Sequence, residues 1–143
     1  MGRRAIFGIG LALYGVSFFL IAVASTWGAP IRGYDCAGYA LSLPWGPNLF
    51  GHQGLFEDRL PDYLGVLLSG WVNPTFLMAA FFVYLKPSAL ITRILAMATL
   101  AIIPFCWVVF YYHNYYPREG HFVWIAGMLL VLFQGLPPIR SRM

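Results

Sequence analysis

The sequence predicts an all-α integral membrane protein, a four-helix bundle with a long, partly helical extracytoplasmic loop between the first two spans. Three observations carry this. Apolar residues make up 60% of the 143 and charged residues 10%, against about 45–50% and about 25% in soluble domains. A chain long enough for one domain has no aqueous hiding place for so much apolar surface. Long apolar runs recur four times, and the one from His121 to Gln134 contains no Asp, Glu, Lys or Arg. The charges are sorted, with basic residues at the ends of the runs and acids confined to segments that would share one side. The expected organisation is a single membrane domain, 1–143, with spans at about 5–24, 62–85, 88–112 and 120–136 and an outer cap loop at 26–61.

Span one, Ala5 to Ala24, is about 20 residues; at ~1.5 Å each it matches the roughly 30 Å of a hydrocarbon core. Arg3 and Arg4 precede it and Ala22-Val23-Ala24 resembles a cleavage site. The apolar run is longer than a signal peptide's, so a retained span is expected. Position 6 is Ile, which does not support myristoylation at Gly2. Gly8, Ala12, Gly15 and Ala22 share one helical face, where a second helix could approach closely.

The loop that follows is broken by Pro30, Gly33, Pro44, Gly46, Pro47, Gly51 and Gly54. Asp35 is placed to cap a short helix from Cys36 to Leu43, which Pro44 would stop. Tyr34, Tyr39, Trp45 and Phe50 suit the headgroup region. Span two starts at Pro61-Asp62 and stops at Lys86-Pro87. Asn73-Pro74 near its centre predicts a kink or a broken helix, because Pro74 removes a donor and disfavours helical geometry at Asn73. In span three Arg93 can snorkel to the interface. Ala89, Thr92, Ala96 and Thr99 make a second small-residue face, expected to meet span one, and Pro104 should bend the outer third. Span four ends at Gly135 and Pro137-Pro138.

Counting charges gives an orientation. With four spans and the N-terminus inside, the inner segments hold Arg3, Arg4, Lys86, Arg93, Arg140 and Arg142, and the outer ones Arg32, Arg59 and Arg118. Six basic residues against three follows the positive-inside bias. All five acids and all three histidines then fall outside, and the five tryptophans lie in the outer half. Both termini are expected to be cytoplasmic, in a cell inner or plasma membrane. The basic residues are scattered at span ends, which excludes the continuous patch that nucleic acid requires.

Candidate functional residues collect on the outer side. His52, His113 and His121, with Cys36 nearby in the loop, offer imidazole and thiol ligands suited to Zn or Cu. Their spacing lacks a tight ligand pair, and polar residues capping helix ends are the simpler expectation. Haem would want histidines inside the spans, where none is found, so no cofactor is expected. Asn73, with Trp71 and Trp107, is the candidate for a ligand pocket or for a hydrogen bond across helices. Asp35, Cys36, Arg118 and Glu119 form the outer cap, the last two as a charge pair that orders the turn and caps span four. Cys36 and Cys106 are expected to be unpaired thiols, since Cys106 should lie about 10 Å below the outer end. No C-x-x-C, G-x-S-x-G, P-loop or dinucleotide motif occurs. The expectation is a non-catalytic accessory or structural subunit that meets lipid headgroups or another membrane protein subunit at its outer face. The alternatives are a binder or transporter of a small apolar or amphipathic ligand and a metal-dependent enzyme at that face.

Overall fold

The computed structural model describes residues 2–25, 30–42, 60–112 and 114–136, and these are mostly helical. The first apolar run does not form one helix. Helix α1 spans Arg3–Ser17, and Ile21–Ser25 is strand β1. The helix tightens before it stops: the N–H groups of Phe18, Phe19 and Leu20 donate to the carbonyls of Gly15, Val16 and Ser17, the three-residue spacing of a 3₁₀ turn. Ser17 Oγ also donates to the Tyr14 carbonyl at 2.6 Å. Beyond the turn, β-branched Ile21 and Val23 favour the extended chain. Apolar content alone does not distinguish a helix from a buried strand, so hydropathy gives all 20 residues as one span.

Strand β1 is the centre of a three-stranded antiparallel sheet, between β2 (Ile31–Arg32) and β3 (Tyr115–Pro117). Val23 pairs with Pro117 and Ala24 with Tyr116. Pro117 is tolerated because β3 is an edge strand. Asn114, with φ 54°, makes the left-handed turn that leads into β3, a conformation asparagine accepts better than most residues.

Helix α2, Gly33–Ser42, begins three residues before the expected start at Cys36, so Asp35 is not its N-cap. Its first N–H groups are met by the end of α1: Gly33 donates to the Leu20 carbonyl and Tyr34 to that of Phe18, each at 3.0 Å. Two helix ends thus satisfy each other's orphan groups. Asp35 lies in the first turn, where a carboxylate complements the helix dipole.

Helix α3, Leu60–Leu85, passes through Pro74 without interruption, so of the kink or broken helix expected at Asn73-Pro74 the break is not found. Thr75 explains part of this. Pro74 cannot donate to the preceding turn, and the Thr75 hydroxyl lies 2.8 Å from the Trp71 carbonyl and 3.0 Å from that of Val72, restoring a donor where the ring weakens the ladder. Helix α4, Leu90–Ile102, and α5, Phe105–Tyr112, form one apolar segment interrupted at Ile103-Pro104, the place where Pro104 was expected to act. Helix α6 covers Glu119–Leu132.

Among the described residues, two helical segments are long and apolar enough to cross a membrane, Leu67–Leu85 with 19 residues and Leu90–Tyr112 with 23. The other two expected spans are shorter as helices. Helices α1 and α6 have 15 and 14 residues, about 21–22 Å at ~1.5 Å per residue.

The helices associate as α1 with α6 and as α3 with α4 and α5, while α6 also touches α3. The core lies between them, around Tyr14, Val72, Phe76, Met128, Val131 and Leu132. The small-residue face expected on α1 is not the buried one. Gly8, Ala12 and Gly15 are exposed, and the line Gly10, Tyr14, Ser17 faces α6 instead. Thr92, Ala96 and Thr99 are buried as expected, but α4 packs on α3 and not on α1.

The two ends of the bundle differ. At one, Arg3 Nη2 donates to the Gln134 carbonyl at 2.7 Å. Gly135 is packed there so tightly that a methyl group would come within 2.8 Å of Val83 Cγ2 and 3.0 Å of Thr92 Cγ2. At the other end are the sheet, α2 and the start of α6, where Arg118 N–H donates to the Ala22 carbonyl of β1 at 2.8 Å.

Candidate functional site

Asn73 is the polar centre of the apolar bundle. Its side-chain oxygen Oδ1 accepts from the Tyr14 hydroxyl of α1 and from the Trp124 indole Nε1 of α6, each at 3.0 Å. One amide therefore joins three helices. Burial makes this arrangement necessary, because an unpaired amide, phenol or indole N–H in an apolar medium costs several kcal/mol. The Tyr14 ring is held by Phe76 at 4.5 Å and Phe18 at 5.1 Å. With both acceptor positions on Oδ1 occupied, the carbonyl has no vacancy for a ligand. A hydrogen bond across helices was the structural version expected for Asn73, and this is its geometry.

Trp71 and Trp107 do not gather around Asn73. They are 49% and 46% exposed, on the outside of α3 and α5. The residues that sequence reading missed are Tyr14 and Trp124. A signal existed: each places one donor within an apolar run, and a buried Tyr or Trp usually finds a partner for that donor.

One turn before Trp124, His121 is 5% exposed and enclosed by rings. Trp124 stacks on it at 5.4 Å, with Phe110 at 4.9 Å and Trp107 at 5.7 Å edge-on. Its Nε2 has no hydrogen-bond partner among the described residues. Of the candidate metal ligands, His52 and His113 lie outside the described residues, and no group of three His, Cys, Asp or Glu is placed to hold a metal among those described. His121 itself faces aromatic carbon, which supplies no second ligand.

The residues expected to form an outer cap have these surroundings. Cys36 and Cys106 are free thiols. Burial, and secondarily the Asp35 carboxylate beside it, pushes the Cys36 thiol up to about 12, so it stays protonated and unreactive at neutral pH. Arg118 and Glu119 do pair, Nε to Oε2 at 3.5 Å, but both side chains are over half exposed; such a pair contributes only about 0–1 kcal/mol. Arg118 occupies the N-cap of α6 without a side-chain capping bond, so the start of the helix is fixed by the sheet and not by the charge pair.

No protein-family model matches the chain, and no curated protein and no solved structure matches it.

Proposed function

We propose that this chain is a small multi-pass protein of the cell inner or plasma membrane, acting as a non-catalytic accessory or structural subunit. Its outer face, formed by the sheet, α2 and the start of α6, meets a partner subunit or lipid headgroups. The observation that carries the reading is the exposure of the two long apolar helices: only 33% and 22% of their apolar windows are buried within the protein. The core helix of a soluble domain would be mostly covered, and side chains such as Phe81, Ile94 and Met97 would stand in water. The polar centre supports a structural role, since Asn73 spends its acceptor on the protein's own Tyr14 and Trp124. Exposed Tyr34, Trp107, Tyr111 and Phe122 at the sheet end suit a headgroup region or a partner.

A second reading, a binder of a small apolar or amphipathic ligand, draws on the unpartnered Nε2 of His121 within its aromatic surround. Asn73 belongs to the structural reading in either case.

The basic bias and the outward placement of the acids orient both termini to the cytoplasm. A reporter fused at Met143 is expected to read inside, and a clear outside signal defeats this topology. Mass spectrometry of the assembly purified in mild detergent is expected to find a second protein chain at fixed stoichiometry. A protein isolated alone, carrying a small ligand that is lost on His121→Phe, would favour the binder.

A further inference from the structure

We propose that the end of the bundle carrying Arg3, Lys86 and Arg93 binds the phosphate of an anionic phospholipid whose acyl chains lie along α4. The inference rests on the membrane-spanning reading above. Three separate segments meet there. Arg3 Nη2 donates to the Gln134 carbonyl at 2.7 Å, and the next residue, Gly135, is pressed against Val83 and Thr92. Thr92 Oγ1 in turn donates to the Lys86 carbonyl at 2.7 Å. The start of α1, the end of α6 and the turn between α3 and α4 are thus fixed to one another, with basic residues on two of the three.

Arg93 gives the surface its direction. It follows Thr92, but Thr92 is buried and Arg93 is exposed. On α4 it shares a side with Leu90, Ile94 and Met97, all exposed. A guanidinium leaving the protein from such an apolar row lies along lipid and reaches up to the headgroup level on its methylene stem. Lys86, also exposed, is the nearest other cation by chain path. No acid at this end compensates them among the described residues: Asp35 and Glu119 are in the first turns of α2 and α6, and Asp62 is near the start of α3, the far end of that helix from Lys86. Two exposed cations at one end of the helices, a guanidinium in the first turn of α4 and an ammonium just before that helix, are complemented by a phosphate oxygen cluster. The apolar row selects a phospholipid over soluble phosphate, since only the lipid covers Leu90, Ile94 and Met97.

The test uses the full chain in nanodiscs of phosphatidylcholine containing a minority of phosphatidylglycerol, with the lipid retained by the protein counted by mass spectrometry. The unmodified protein is expected to enrich phosphatidylglycerol. Arg93→Gln and Lys86→Gln should each lower that enrichment about fivefold, the effect of one cation near a headgroup. Arg93→Lys should retain most of it, and Arg118→Gln, at the opposite end, should leave it unchanged. Absence of enrichment, or enrichment in Arg93→Gln and Lys86→Gln undiminished from that of the unmodified protein, overturns the proposal, as does an equal loss in Arg118→Gln. Alkaline extraction of the same membranes separates the two readings. A protein released by alkali counts against membrane spanning itself, whereas an inserted protein without lipid preference counts against the lipid site alone.

Discussion

The two helix pairs of this bundle solve the same problem by different means. In α1–α6 the backbones touch. A methyl group built on Gly127 would come within 2.6 Å of the Tyr14 nitrogen and 2.8 Å of the Gly10 carbonyl oxygen, and one on Gly10 would come within 2.9 Å of the Gly127 oxygen. Toward the turn that joins α3 to α4, the buried residues are Ala79, Ala80 and Val83 on α3 and Thr92, Ala96 and Thr99 on α4, so side chains, mostly small, and not backbone, make up this buried face. The threonine hydroxyls are spent on backbone carbonyls, Thr92 on Lys86 and Thr99 on Leu95. On the membrane-spanning reading proposed above, neither pair gains from hydrophobic association in lipid, where tails are as apolar as leucine, so packing and hydrogen bonds carry both. The difference lies in what can yield. A side-chain seam adjusts by a rotamer, whereas a backbone contact adjusts only by moving a helix. Asn73 bridges the pairs, since its donors come from α1 and α6 while it belongs to α3.

The comparison breaks most severely at Gly127. Gly127→Val should lower stability by about 3 kcal/mol, the upper end of overpacking, in a denaturing-detergent titration. On α1, a methyl group at Gly8 or Gly15 meets nothing within 4 Å, so Gly8→Val should stay within about 0.5 kcal/mol of the parent. Equal losses at Gly127 and Gly8 would mean that the α1–α6 contact is not as close as described. The bridge comes next. Asn73→Leu strands the Tyr14 hydroxyl and the Trp124 indole and should cost about 1–2 kcal/mol, with a shift in Trp124 emission and the span still inserted. An unchanged melting curve together with unchanged emission would remove Asn73 from its linking role. The smallest effect belongs to the side-chain seam. Thr92→Val keeps the volume but loses the bond to the Lys86 carbonyl of the turn before α4, for about 0.5–1 kcal/mol, the lower range for a single neutral hydrogen bond. A loss as large as that at Gly127 would place the α3–α4 seam among the unyielding contacts and erase the distinction.

Much of the candidate site was legible in part. Asn73 stands out as a strongly polar residue in mid-run, and an amide in such a place must bond to something. Its partners were harder to see, because Tyr14 and Trp124 are 59 and 51 residues away and nothing local marks them as equal in depth. The face of α1 was misread for a related reason. Gly8, Ala12 and Gly15 have the same four-three spacing as Gly10, Tyr14 and Ser17, and periodicity cannot choose between two faces that share a period. The choice falls to the face that puts Gly10 opposite Gly127 and carries the Tyr14 hydroxyl to Asn73. Pro74 predicts a kink or a break because its missing donor is a local fact, whereas the bonds from the Thr75 hydroxyl to the Trp71 and Val72 carbonyls depend on a rotamer.

By itself the sequence determined the helical character, the four apolar runs and the sorting of charge. Each of these depends on composition and on neighbours a few residues apart, and the physics of transfer from water acts on them without reference to a fold. Only the tertiary structure decided where the first run turns from helix to strand, since β1 exists through its pairing with β2 and β3, the latter over 90 residues away. It also decided which glycine face is buried and which donors Asn73 receives. Those outcomes are set by contacts between distant segments, where a hydrogen bond or a backbone approach at 3 Å outweighs local preferences that differ by tenths of a kcal/mol.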